Sequence, residues 1–136
     1  MRKVPLIGDV MTPSPVVVEI DASVADARDR MIDNEVRHLP VVEEGRLVAV
    51  VSDRDIAALE NDAEADRLSK RLRVRDACSL DLYAVAPDAA LDVVLLEMAD
   101  RHVGSVVVVD GEAAVGVFTA TDACREFAAH LREARE

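Results

Sequence analysis

Two copies of a short motif, a hydroxyl followed three residues later by an acid, carry the chemistry that this sequence offers. Ser52 precedes Asp55 and Thr119 precedes Asp122, each pair directly after an apolar run. Such a pair caps a helix, because the hydroxyl accepts a free backbone N–H and the acid favours the positive end of the helix dipole. The same groups could hold a sugar, since one carboxylate can accept hydrogen bonds from both hydroxyls of a cis-diol. Helix capping and ligand contact are both open at this point.

Cationic side chains accompany the first motif. Arg37, His38 and Arg54 all belong to the first half of the chain. Phosphates are bound by arginine forks and by free N–H groups at a helix start, and a histidine could make such binding pH-dependent near neutrality. Because the formal net charge is −11, an anionic ligand needs local cations of this kind. The alternative is that the arginines form exposed ion pairs and that His38 is a packed imidazole.

The two motifs lie 67 residues apart, and the whole chain repeats at this offset. The shift pairs Asp9 with Asp76 and Met31 with Met98, and it keeps apolar positions aligned without a gap. Such self-similarity is typical of a tandem repeat. We predict four segments: repeat 1 at 1–59, a charged linker at 60–73, repeat 2 at 74–128, and a C-terminal helix extension at 129–136.

The apolar pattern of each repeat predicts the same order of elements, β-α-β-β-α. In the first repeat they are expected at 16–18, 24–35, 38–42, 47–51 and 53–59. In the second repeat the helices are expected at 89–101 and 121–135. Both hairpins are nearly continuous valine runs, which is typical of strands covered on both faces. We therefore expect an α/β (α+β) fold whose two repeats pack sheet to sheet with pseudo-twofold symmetry.

Composition and spacing argue against several classes of function. The acidic balance, with no basic run and no aromatic stacking platform, argues against nucleic acid as a partner. No apolar run reaches the ~18 residues that a membrane span needs, so we expect no membrane insertion. Cys78 and Cys124 are isolated, as is typical of reduced thiols in a cytoplasmic protein. We find no nucleophile–base pair and no metal-ligand spacing, and we expect no catalytic residue and no metal site.

Taken together, these residues resemble a tandem pair of cystathionine β-synthase (CBS) domains, also called a Bateman module. The resemblance covers residues 4–128, and its segments are strong only in combination, twice and in register. They are Asp9-Val10-Met11-Thr12, the helix with Met31, Arg37-His38-Leu39-Pro40-Val41-Val42, Gly45-Arg46-Leu47-Val48, Ser52-Asp53-Arg54-Asp55-Ile56, the hairpin 106–118, and Thr119-Ala120-Thr121-Asp122.

Members of this family bind adenosine-containing ligands in clefts between the paired repeats, and the pairs commonly form flat dimers. The resemblance implies that the acids of the two motifs accept hydrogen bonds from the ribose hydroxyls, with the motif hydroxyls beside ribose or phosphate. It implies phosphate contacts for Arg37, His38 and Arg54, and adenine contacts through the backbone of residues 10–18. The implied ligand-binding residues are Val10, Thr12, Val18, Arg37, His38, Pro40, Ser52, Arg54, Asp55, Ser105, Thr119, Thr121 and Asp122.

The second copy departs from the first at the phosphate end. It has Gly104 and Ser105 in place of Arg37 and His38, and Thr121 in place of Arg54. Its phosphate end is therefore expected to be weak unless the first repeat lends a cation. The first copy has Ala49 where the second has Gly116, and the added methyl is expected to narrow the first cleft. We expect two unequal sites, or one.

The leading hypothesis is a regulatory sensor, not an enzyme, for a ligand of the AMP, ADP, ATP, NAD or S-adenosylmethionine class. It would have no obligatory cofactor, with Mg²⁺ as an optional companion of the nucleotide. A homodimer would change geometry on binding, and a separate effector protein would respond. The alternative is a ligand-free dimerisation and docking module, and a third class is a small enzyme acting on a nucleotide.

Overall fold

A computed structural model describes residues 3–61 and 72–135 of this 136-residue chain. Most of the predicted linker at 60–73, namely residues 62–71, lies outside the described residues. The described elements, in chain order, are α1 (Ile7–Val10), β1 (Thr12–Pro13), β2 (Val18–Glu19), α2 (Val24–Asp33), β3 (His38–Glu43), β4 (Arg46–Ser52), α3 (Asp53–Glu60), α4 (Val74–Ala77), β5 (Ala84–Val85), α5 (Leu91–Arg101), β6 (Ser105–Asp110), β7 (Ala113–Thr119) and α6 (Ala120–Ala134).

The chain divides into two compact units. One, which we call the Asp55 unit, contains Pro15–Leu82 and Glu112–Ala114. The other, the Asp122 unit, contains Met1–Ser14, Tyr83–Gly111 and Val115–Glu136. The predicted α+β class is confirmed, because each unit contains a small sheet together with helices. The packing of one sheet against the other remains a prediction.

The Asp55 unit has a three-stranded sheet in the order β2-β3-β4. β2 runs parallel to β3, and β4 runs antiparallel to β3. The register of the β3–β4 pair shifts at a bulge between Val41 and Val42 of β3. The helix α2 is capped by Ser23, whose hydroxyl accepts the N–H of Asp26 at 3.0 Å. Its apolar stripe is buried with the β3 and β4 residues of the core. Helical periodicity and a local cap thus produce the helix where the sequence predicted it.

The Asp122 unit has a four-stranded sheet in the order β1-β7-β6-β5. β5 runs parallel to β6, as β2 does to β3. The buried residues of α5 are Leu91, Val94 and Met98, at i, i+3 and i+7. They pack in one cluster with Val106 and Phe118 of the sheet. The same pattern of apolar residues therefore builds a second core of the same kind.

The opening segment of each sequence repeat packs with the unit that contains the other repeat. β1 pairs antiparallel with β7, with Thr12 opposite Val117. In the Asp55 unit, Ser79 and Val50 exchange two backbone hydrogen bonds, of 2.8 and 3.2 Å. Prolines at 13 and 15 prevent α1 from continuing past Val10, so the backbone that follows is available for sheet pairing. The compact units therefore do not coincide with the repeats of the sequence.

Candidate ligand-binding sites

The Ser52–Asp55 pair forms a complete capping box at the start of α3. The Ser52 hydroxyl accepts the N–H of Asp55 at 3.0 Å, and Asp55 Oδ2 accepts the N–H of Ser52 at 2.9 Å. Both residues are half-buried. Within residues 3–61 and 72–135, Asp55 Oδ1 accepts no hydrogen bond. The cap therefore uses one carboxylate oxygen and leaves the second able to accept hydrogen bonds from a ligand.

The Thr119–Asp122 pair repeats this geometry at the start of α6. Thr119 Oγ1 accepts the N–H of Asp122 at 3.2 Å, and Asp122 Oδ2 accepts the N–H of Thr119 at 2.9 Å. The Thr119 hydroxyl also donates to Asp122 Oδ2 at 3.0 Å. The other oxygen, Oδ1, lies 3.7 Å from Nη1 of the exposed Arg125. The capping interpretation of both motifs is confirmed, and it leaves room for ligand contact as well.

The predicted phosphate-binding cations lie together at the Ser52 end of β4. His38 is directly opposite Ser52 in the β3–β4 register. The carbonyl oxygen of Arg37 accepts the N–H of Asp53 at 2.9 Å, which ties the residue before β3 to the first turn of α3. Arg54 is the next residue of that turn, and both arginines are exposed. Neither arginine forms an ion pair with any other residue that the structure describes.

The charges around His38 act on its imidazole in opposite directions. Partial burial lowers the pKa of His38 from its ordinary value of 6.5, and Arg37 and Arg54 lower it further. The carboxylates of Asp53 and Asp55 raise it, by less than burial lowers it. All four charged groups are thus within electrostatic reach of the ring. The unliganded site favours a neutral imidazole.

The equivalent positions of the Asp122 unit carry no such cations. The carbonyl oxygen of Gly104 accepts the N–H of Ala120 at 3.0 Å, reproducing the contact of Arg37 with Asp53. Ser105, the first residue of β6, is a neutral hydroxyl that is only 9% exposed. Thr121 is exposed in the first turn of α6. The backbone frame is therefore the same in both units, while the charge is different.

The predicted adenine-flanking segment is divided between the two units. Thr12 lies opposite Val117, and Val117 is two residues before Thr119 in β7. Val10 packs against the core of the Asp122 unit. Val18 instead lies in the Asp55 unit, fully buried opposite Val41. The counterpart of Thr12 in the Asp55 unit is therefore Ser79, which pairs with Val50 and was not among the predicted ligand-binding residues. The 67-residue offset relates these two residues, but it does not show that the segments are exchanged.

One further prediction changes once packing is considered. Gly116 does not leave open space, because an added Cβ would lie 2.2 Å from the Met11 sulfur and 2.8 Å from its Cγ. The expectation that Ala49 narrows one site relative to Gly116 is therefore wrong, since Met11 already fills the space that the glycine leaves. Pro40 is fully buried opposite Val50 in the sheet.

The part of the chain that the structure describes contains no group of three His, Cys, Asp or Glu side chains arranged to hold a metal ion. Among the same residues, no helix has the length and apolar character needed to cross a bilayer.

The fold and the paired motifs define a tandem pair of small α+β domains, each with a capped acid where a strand meets a helix. The chain belongs to the CBS domain family, whose profile matches residues 7–61 and 74–129. The predicted resemblance is confirmed.

Solved structures show the same fold. The CBS domain pair of protein MJ0100, in complex with 5′-methylthioadenosine and S-adenosyl-L-methionine, is 25% identical with a TM-score of 0.81 over 94% of this chain and 99% of that one. The structure of CBSX2 in complex with AMP is 28% identical, with a TM-score of 0.79 over 94% and 98% of the two chains.

A curated relative matches part of the chain. The chloroplastic CBS domain-containing protein CBSX1 of Arabidopsis thaliana is 38% identical over 65 residues, which is 46% of this chain. The match spans 28% of the length of CBSX1.

Proposed function

We propose that this chain is a regulatory module that binds an adenosine-containing ligand at the Ser52–Asp55 and Thr119–Asp122 motifs. The observation that carries the proposal is the position of the two acids. Each uses Oδ2 to cap a helix and keeps Oδ1 outside that cap, so the carboxylate is held in place before a ligand arrives. The complexes of MJ0100 and CBSX2 support adenosyl compounds as the ligand class.

The charges on the first site favour a ligand that bears phosphate. Arg37 and Arg54 offer guanidinium groups that have no ion-pair partner among the described residues, and protonated His38 would add a third cation. The ligand candidates are AMP, ADP, ATP, NAD and S-adenosylmethionine. Mg²⁺ would accompany a polyphosphate as an optional companion rather than as a resident cofactor.

The proposed signal is a shift in the geometry of a homodimer, read by an effector protein in trans. A ligand can shift such an equilibrium only by its difference in affinity for the two states. We propose no catalytic step, and the cytoplasmic location remains a prediction from the sequence.

Isothermal titration calorimetry of the full chain with AMP, ATP, NAD and S-adenosylmethionine tests the proposal. At least one compound should bind, and Asp55→Ala together with Asp122→Ala should abolish the binding. Asp53→Ala is the matched control, because it removes a neighbouring acid of α3 that does not form the capping box. If none of the four compounds binds, or if the double variant binds as tightly as the wild type, the proposal fails. Native mass spectrometry of freshly purified protein would show any co-purified nucleotide.

One observation favours the second candidate, a ligand-free dimerisation and docking module. α6 has no buried residue along its described length, and Phe127 and Leu131 are 61% and 48% exposed on it. A groove of about 320 Å³ lies between α5 and the start of α6, and it is lined largely by apolar side chains such as Met98 and Val103.

The equivalent groove of the Asp55 unit, about 380 Å³, is lined by apolar residues such as Ile32 and also by charged residues, which include the ion-paired Arg28 and Glu60. The groove of the Asp122 unit therefore lacks the charged lining of its counterpart, and we propose that copies of the chain associate through this groove and the neighbouring face of α6. Phe127→Glu with Leu131→Glu should then shift the protein to monomers in sedimentation velocity, with or without nucleotide. An unchanged sedimentation coefficient would exclude this surface from association.

A further inference from the structure

The two acid sites have the same backbone geometry and opposite electrostatic surroundings. Around Asp55 lie Arg37, Arg54 and His38, and neither arginine is engaged by a carboxylate among the described residues. Around Asp122, the residues equivalent to these three are Gly104, Thr121 and Ser105, all uncharged. Arg125, one turn along α6, lies 3.7 Å from Asp122 itself, and its side chain is 78% exposed.

We propose that the two sites divide adenosyl ligands by the charge of the 5′ group, an inference that rests on the proposed function. The Asp55 site takes a 5′-phosphorylated nucleotide, and the Asp122 site takes an adenosyl compound whose 5′ group carries no phosphate. Both sites have an acid that would accept hydrogen bonds from the ribose hydroxyls, so this acid does not distinguish one adenosyl ligand from another. The side chains around the acid determine which 5′ group each site accepts.

A phosphate dianion beside Asp122 would meet a carboxylate whose three flanking positions, Gly104, Ser105 and Thr121, carry no cation. The negative charges of the phosphate and the Asp122 carboxylate repel each other, which disfavours binding. The nearly buried hydroxyl of Ser105 can donate only one hydrogen bond to the phosphate, and that bond is neutral. A thioether or a sulfonium at the 5′ position avoids that repulsion. Beside Asp55, a phosphate can instead accept charge-assisted hydrogen bonds from Arg37 and Arg54, which are about twice as strong as neutral ones.

Single-site variants separate the two affinities. Asp122→Ala leaves the Asp55 site, which should bind AMP at least about tenfold more tightly than 5′-methylthioadenosine. Asp55→Ala leaves the Asp122 site, which should bind 5′-methylthioadenosine at least as tightly as AMP. In the Asp55→Ala background, Gly104→Arg with Ser105→His should confer a preference for AMP. The backbone permits this graft, since Gly104 does not have a positive φ.

Because both acids cap helices, the wild-type chain provides a test that does not depend on these variants folding. Native mass spectrometry with AMP and 5′-methylthioadenosine together should show one molecule of each per chain. Two AMP molecules per chain, an Asp55→Ala variant that folds and binds neither compound, or an equal preference for AMP at both sites would overturn the division of ligands. Failure of every adenosyl compound to bind the wild type would instead contradict the proposed function.

Discussion

Met11 lies against the Cα of Gly116, so close that a Cβ added to the glycine would be 2.2 Å from the Met11 sulfur. At the equivalent positions of the Asp55 unit the sequence has Cys78 and Ala49, a shorter side chain and an added methyl. Met11 thus joins the opening segment of the first sequence repeat to a strand of the second. In the Asp55 unit, Cys78 packs against the core cluster that contains Ala49.

Gly116→Ala should lower the free energy of unfolding by about 1–3 kcal/mol, the usual cost of overpacking a core. Met11→Cys in the same chain should recover most of that loss, because it recreates the pair found in the Asp55 unit. Urea unfolding of the two single variants and the double variant measures the coupling. Additive effects would show that the two residues do not compete for the same space.

Ser52→Ala should lower the free energy of unfolding by about 1 kcal/mol in the absence of ligand, because it leaves the N–H of Asp55 without its side-chain acceptor. Thr119→Ala should have a comparable or larger cost, since its hydroxyl also donates to Asp122. Thermal unfolding by circular dichroism measures both changes. The exposed Thr121, which caps no helix, provides the control as Thr121→Ala. A similar loss in the control would show that the cap is not the cause.

His38 should make stability depend on pH. Burial lowers the pKa of His38 below 6.5 in the folded chain, so on acidification the unfolded chain takes up this proton first. The free energy of unfolding should therefore fall as the pH drops through about 6.5 and below, with the contribution of His38 fully present above that range. Urea unfolding across this range, compared with His38→Gln, isolates the effect. A variant with the same pH slope as the wild type would contradict the assignment.

The same group should affect AMP affinity in the opposite direction. Because a bound phosphate stabilises the imidazolium, AMP should bind more tightly as the pH falls from about 8 to about 6. Calorimetric titration of the Asp122→Ala chain measures this at the Asp55 site. His38→Gln supplies the control for the phosphate's own protonation, and an equal pH dependence in that variant would exclude a role for His38.

His102 ends α5 in the left-handed conformation, with φ of 56°. Glu35 has the equivalent conformation after α2, with φ of 54°. His102→Gly and Glu35→Gly should each raise the free energy of unfolding by up to about 1 kcal/mol, because glycine adopts this φ without a Cβ penalty. Urea unfolding measures the gain. Ala at the same positions is the matched control and should show no such gain.

The sequence by itself determined the local structure of this protein. The 67-residue repeat, the amphipathic helices and the two capping boxes were all predicted, because periodicity and capping involve residues only a few positions apart. The CBS family was also identified from these segments. The clustering of Arg37, His38 and Asp55 was implied by that resemblance, and the contact of Arg37 with Asp53 then showed how the backbone brings them together.

Only the tertiary structure decided which segments pack together. The offset relates Thr12 to Ser79 without indicating that β1 pairs with β7 or that Ser79 pairs with Val50. These pairings join residues distant in sequence, and the two sheet edges present similar valine-rich strands to either segment. The packing that requires glycine at position 116 could not be predicted from the sequence either. Its neighbour Met11 is more than a hundred residues away along the chain. Contacts of this range depend on packing, which neither periodicity nor capping encodes.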